Sequence, residues 1–332
     1  MHYTLRYLII IAIIFSASCN RSNIHKFDPD DVQLEKINVK RYEQALFMIN
    51  KSMLNTELEK LQPLFPMFLA GDMNDSLNLK RIKDYITDTL LIAVYNDCIN
   101  EYPDLSEIEG ELTEAFRYFK YYFPEKKLPD VYTYVSGFDY EYPIQYFDDH
   151  LMIALDMYLG ADYLRYKKLG LANYILRRFS RDYIVRDCMF VMAQTQLDSK
   201  QESQSLLDMM FVEGKKLWVT KTMIPDIPET VLFDYTEQQM DWAKKGEATV
   251  WAFLIENEML YTTEMQPVQK FIGDGPFTSY FGSDSPPRLG VYIGFRILDS
   301  YMNRNKNIAP QQLMSNQNAQ EILNRSGYKP KM

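Results

Sequence analysis

Two neighbouring stretches, LPDVYTYVSGFDYEYPI at residues 128–144 and DDHLMIALDMYLG at 148–160, decide the fold of this 332-residue chain. Most of the surrounding sequence carries a helical period. The first stretch does not: it is rich in Val, Tyr and Thr and is punctuated by Gly137 and Pro143. Such composition reads as one or two strands. In the second stretch the apolar run LMIAL fits a strand or a buried helix equally well. The fold class that follows is mainly α with a small central β-sheet, an α+β arrangement.

On the N-terminal side, KINVKRYEQALFMI at 36–49 reads as a short strand running into a helix. RIKDYITDTLLIAVYNDCI at 81–99 spaces Ile82, Tyr85, Ile86, Leu90, Ala93 and Val94 by three and four residues, which predicts one amphipathic helix. DLSEIEGELTEAFRYFKYYF at 104–123 predicts another, with Asp104 as N-cap and acids in its first turn. Its Phe116, Phe119, Tyr122 and Phe123 could line a ligand cage, but aromatics at helical spacing belong far more often to a core. On the C-terminal side, 171–180, 181–197 and 203–224 read as helices. Two more are expected on either side of Gly246. A Gly/Pro-rich loop at 273–290 could mark a domain boundary or serve a function, and the helix GVYIGFRILDSYM follows it at 290–302. Gly290 and Gly294, four apart, permit close helix packing. From Asn305 onward the chain is polar, with a weak final helix.

The chain opens with Arg6, an apolar run from Leu8 to Phe15, and Ser16-Ala17-Ser18-Cys19. A charged start, a short apolar run and small residues make a secretory signal over residues 1–18. A cysteine directly after the small residues resembles a bacterial lipoprotein signal, in which cleavage exposes the cysteine for acylation. Ser16 departs from that pattern, where Leu, Val or Ile is usual. Cys19 is therefore the expected lipidation site. Residues 19–34 form a polar tether reaching at most ~50 Å, and 35–332 form a single globular body. The apolar run is shorter than the ~20 residues a spanning helix needs.

With 36 basic and 45 acidic side chains, the formal charge is −9, and removal of the signal takes away one further arginine. This balance argues against nucleic acid as a partner, because phosphate binding needs a basic patch. It also argues against a polybasic membrane surface. Membrane attachment then falls to the acyl chains. Cys98 and Cys188 lie in apolar-periodic stretches and are expected as buried thiols, although an envelope protein permits a disulfide.

Catalytic chemistry finds little support. A zinc hydrolase on an HExxH helix needs a second histidine four residues on and a glutamate between. After His150 those positions are Ala154 and Leu151, while His25 lies in the tether and His2 in the signal. No cofactor or metal is implied. No EF-hand spacing, nucleophile elbow, P-loop or dinucleotide fingerprint occurs. Glu247 and Glu258 share a predicted helix face and read as solvated. Asp148 and Asp149 read as a solvated turn. Asp156 differs: an acid within Ile153-Ala154-Leu155 and Met157-Tyr158 is costly to bury unless paired. Capping by backbone N–H groups or pairing with a cation is required, and Arg296 is the candidate cation.

Five blocks together resemble the GldB family of gliding-motility lipoproteins of the Bacteroidota. They are SASC at 16–19, YVSGFDYEYPI at 134–144, IALDMYLGADY at 153–163, EATVWAFLIENEMLY at 247–261 and SPPRLGVYIGFRILDSYM at 285–302. Tyr292 and Phe295 stand where that family favours Trp. The resemblance covers nearly the whole chain. It implies a non-enzymatic envelope lipoprotein that supports gliding and type IX secretion through other envelope proteins. It brings no catalytic residue set. NRSN after Cys19 lacks the acidic run associated with surface export in this phylum, which favours the periplasmic face. A fainter likeness is to zincin-like metallopeptidases. On that likeness the IALDMYLG block stands at the metal helix without its ligands, and the body is a zincin-like scaffold without zinc. The competing readings are a metal-dependent envelope hydrolase and a ligand- or glycan-binding lipoprotein that uses the aromatic surface.

Overall fold

The computed structural model describes residues 32–197 and 205–331; the expected signal over 1–18, Cys19 and most of the expected tether lie outside them. Strand β1 (Val39–Arg41) runs directly into helix α1 (Tyr42–Phe47), as the sequence predicts. Helix α2 spans Leu54–Leu61. The predicted helix over 81–99 is two helices, α3 (Ser76–Thr87) and α4 (Thr89–Glu101). Asp88 separates them: its carboxylate accepts from the Leu90 and Leu91 N–H groups at 2.7 and 3.0 Å, capping α4. Apolar spacing continues across such a break, so periodicity alone does not see it. Helix α5 (Ser106–Tyr122) follows. Asp104 accepts from the Ser106 N–H ahead of it. Phe116, Phe119 and Phe123 are buried in the core, where each adds about 2–3 kcal/mol relative to exposure.

Strands β2 (Asp130–Tyr134), β3 (Ile144–Phe147) and β4 (His150–Ala154) complete a four-stranded sheet in the order β1-β2-β4-β3. β1, β2 and β4 are mutually parallel, and β3 returns antiparallel to β4. LMIAL is thus a strand, and the IALDMYLG block ends in a 3-10 turn at Leu155–Met157 rather than in a helix. One sheet face (Val131, Leu151, Ile153) packs on α5 residues and on helix α8, introduced below; the other (Tyr132, Met152) meets α1 and α3.

Short helices α6 (Leu164–Lys167) and α7 (Asn173–Leu176) lead to α8 (Ile184–Gln194). The predicted helix over 171–180 shrinks to α7. Then come α9 (Leu206–Met223), α10 (Glu229–Phe233) and α11 (Glu237–Glu256). Gly246 does not divide α11, which starts at a Thr236–Gln239 capping box. A glycine inside a helix costs only about 1 kcal/mol. Glu258 lies beyond that helix in a left-handed conformation, φ 53°, so it shares no face with Glu247.

Helices α12 (Met265–Ile272), α13 (Leu289–Arg304), α14 (Pro310–Ser315) and α15 (Ala319–Ser326) close the chain. They build a second core around Leu254, Phe271, Ile293 and Leu298. Helix α9 joins the two cores, packing on α8 and on α13. Its crossing with α13 depends on paired glycines. A Cβ on Gly214 would meet the Phe295 nitrogen at 2.9 Å, and one on Gly294 would strike the Met210 carbonyl. The predicted close contact at Gly294 is therefore real and intramolecular. The loop at 273–288 folds onto this core, with Thr278 N–H bonded to the Pro286 carbonyl at 3.0 Å. Cys98 and Cys188 are free and buried.

Candidate functional site

Strand β3 ends the sheet. It joins β4 through Asp148 and Asp149, at φ 48° and 58°, the backbone of a tight two-residue hairpin. In such a hairpin the residues flanking the turn form a hydrogen-bonded pair, and pairing alternates from there. The Ala154 N–H donates to the Pro143 carbonyl at 2.9 Å, as this alternation requires. Phe147, Gln145 and Pro143 thus face β4. The main-chain groups of Ile144 and Tyr146 point away from it, where no further strand lies among the described residues.

A cleft of about 980 Å³ runs along this edge. Tyr142 and Phe147 stand at its rim, 61% and 65% exposed. Tyr158, Phe179, Phe190 and Val191 also line it, together with Arg178 and Arg186. A smaller recess of about 320 Å³ shares Arg178, Arg186 and Phe190 and extends to Glu213, Asp274 and Arg288.

The arginines belong to a network. Buried Asp234 accepts from Arg177 Nε at 3.0 Å, from Arg178 Nε and from the Tyr183 hydroxyl at 3.1 Å. Arg178 also grips Asp274 at 3.1 Å. Arg288 reaches Asp274 at 3.6 Å and Glu213 at 3.2 Å, and Glu213 holds Lys216 at 2.6 Å. Arg186 bonds Asp187 at 2.7 Å and the Leu232 carbonyl at 3.0 Å, while its buried Nε–H has no acceptor. Arg186 and Lys216 both lie over the Phe190 ring. Arg178 is held above its ordinary pKa: burial opposes the charge, and Asp234 and Asp274 outweigh it. Those same cations, with Arg178 foremost, hold Asp274 below the usual carboxylate range against its own burial. No residue of this network was singled out from the sequence as functional. The signal was present in the density of arginines at 177, 178, 181 and 186.

The residues that sequence reading did single out sit elsewhere. Asp156 is fully buried. Its carboxylate accepts from the Ser136 N–H at 2.7 Å, the Ser136 hydroxyl at 3.0 Å and the Phe138 N–H at 2.8 Å. Gly137 and Phe138 both have positive φ, 77° and 70°, which turns these N–H groups inward. Burial raises the Asp156 pKa, and the donors oppose it without cancelling it. The acid clamps the start of the segment that carries Tyr142 to the cleft.

The expected partnership of Asp156 with Arg296 is not formed. Arg296 bonds Glu247 at 3.1 and 3.2 Å. Tyr292 and Tyr328 donate to the same carboxylate at 3.1 and 2.8 Å. Glu247 is therefore buried and paired rather than solvated. Arg296 and Glu247 face each other across α13 and α11, a pairing invisible to a one-dimensional reading. His150 bonds the Asp148 carbonyl through Nδ1 and stacks on Tyr132 with ring centroids 5.6 Å apart. Among the described residues no group of three His, Cys, Asp or Glu could hold a metal ion. No described helix is long and apolar enough to cross a membrane.

A family model for gliding motility protein GldB matches residues 24–330. The chain belongs to the GldB family. The match takes in both cores, the cleft and the arginine network, and it begins after Cys19. Membership brings gliding motility and lipoprotein character as family properties. No curated protein and no solved structure matches the chain.

Proposed function

We propose that this protein is a non-enzymatic cell-envelope lipoprotein that supports gliding motility and the associated type IX protein secretion through contacts with other envelope proteins. The observation that carries this reading is the GldB match over residues 24–330. Acyl chains on Cys19 hold it to the membrane, with the body on the periplasmic side. An acidic body suits a protein partner better than a lipid surface or nucleic acid. His150 is committed to a turn carbonyl and a tyrosine ring, and Asp156 to three neutral donors, which are structural duties.

Deleting the gene should abolish both colony spreading and secretion of type IX cargo. Spreading and secretion left intact would sink the proposal. Replacing Cys19→Ala should release the body from membranes into the soluble envelope fraction, and mass spectrometry of the native N-terminus should find an acylated cysteine.

A further inference from the structure

We infer that the cleft beside β3 takes the C-terminal end of an extended polypeptide, paired antiparallel with β3 and with its terminal carboxylate at Arg178 and Arg186. The inference rests on the reading of this chain as a lipoprotein that acts through protein contacts, and it supplies a binding mode.

The cleft follows the strand edge rather than one sheet face. Met152, which packs with Tyr132 on one face of the sheet, lines it together with Tyr158 and Val191, which pack with the core on the other face. Only a space beyond the last strand meets both. The N–H and C=O groups of Ile144 and Tyr146 open into that space. An added strand satisfies such groups by main-chain hydrogen bonds, which any sequence can make. Natural edges are guarded by charge, proline or a covering element. Here the edge is flanked by exposed Tyr142 and Phe147, which can seat alternate side chains of a bound strand. β3 has four residues, about 13 Å of pairing.

Charge fixes the direction. β4 runs toward Tyr158, whose hydroxyl donates to Asp187 at 2.9 Å beside Arg186. The Gly160 N–H donates to the Phe179 carbonyl at 2.8 Å, next to Arg178. β3 is antiparallel to β4, so its Ile144 end lies at the arginines. A strand added antiparallel to β3 brings its C-terminus there. One added in parallel would press its terminal amine against two guanidinium groups. The ion pairs join five cations (Arg177, Arg178, Arg186, Lys216, Arg288) to four carboxylates (Asp187, Glu213, Asp234, Asp274). One more carboxylate balances the set, in a protein whose overall charge is −9.

The test is selection from a displayed library of random ten-residue peptides with free C-termini, on the full mature chain in detergent. The best binder is then made as the free acid, as the C-terminal amide, and N-methylated at alternate residues. The free acid should bind at least about tenfold tighter than the amide. N-methylation in one register should abolish binding, and in the other should leave it unchanged. Tyr146→Pro removes an outward N–H that the ladder does not use, so it should bind more weakly than Tyr146→Ala. In the complex the Ile144 and Tyr146 amides should gain protection from hydrogen exchange. Equal binding of acid and amide, equal binding by the Pro and Ala variants, or no peptide recovered would overturn the groove assignment. A failed selection alongside a gliding defect on gene deletion overturns this assignment alone. A deletion without phenotype overturns the envelope role, whatever the groove binds.

Discussion

In the sheet-centred part of the molecule, Asp156 is neutralised without any cation: two backbone N–H groups and one hydroxyl surround it. Where the two cores meet, Asp234 is held by two arginines and a tyrosine hydroxyl. Both acids are buried, and the two solutions have different consequences. Dipoles fixed in a turn cannot be exchanged, so the Asp156 cage holds one backbone shape. Guanidinium groups with several donors can share a new acceptor. The ionic network, rather than the dipole cage, accordingly lies beside the open cleft.

This contrast can be broken most severely at Asp234. Asp234→Ala takes from Arg177 its only carboxylate among the described residues and leaves Arg178 with Asp274 alone, and breaking a buried pair this way costs about 3–5 kcal/mol. Because both arginines keep about a quarter of their side chains in solvent, 25% and 28%, the lower end of that range is expected. Denaturant unfolding measures it, and the loss should shrink in 1 M salt, where screening supports the stranded charges. Asp156→Ala should cost about 2–3 kcal/mol by leaving buried N–H groups unpaired, with no salt dependence. Equal salt dependence in the two variants would remove the distinction between them.

Asp156→Asn is gentler, about 1–2 kcal/mol, because one acceptor oxygen is kept. It also isolates a pH effect. The folded pKa of Asp156 is raised above its ordinary value by burial. A raised carboxyl loses stability as pH climbs through the window from about 3.9 to its folded pKa, because the unfolded chain ionises first. The stability advantage of the native protein over Asp156→Asn should therefore widen as pH is lowered through that window. An advantage constant with pH would contradict the raised pKa. The smallest effect is expected at Glu247, where Tyr292→Phe removes one of several donors and should cost about 1 kcal/mol.

Much of the architecture is legible in one dimension because its causes are local. Val-, Tyr- and Thr-rich segments mark β2 and the approach to β3. Three- and four-residue spacing marks the helices, although the cap at Asp88 and the uninterrupted run through Gly246 escape it. In both cases a hydrogen-bonding side chain, not the apolar pattern, decides where a helix begins. The candidate site was far less legible. Arg178 meets Asp274 across 96 residues and Arg296 meets Glu247 across 49, and no spacing rule links such positions.

By itself, the sequence determined that this chain is mainly helical with a small sheet, that Asp156 must be compensated, and that Gly294 allows two helices to touch. Burial cost and helical period act on each residue where it stands, so composition and spacing suffice for these. Which partner compensates Asp156, which cations gather at Asp234, and that β3 is the last strand of the sheet among the described residues were decided only by the tertiary structure. Compensation depends on which groups the fold brings within about 3 Å, and an edge exists only once strand order is set.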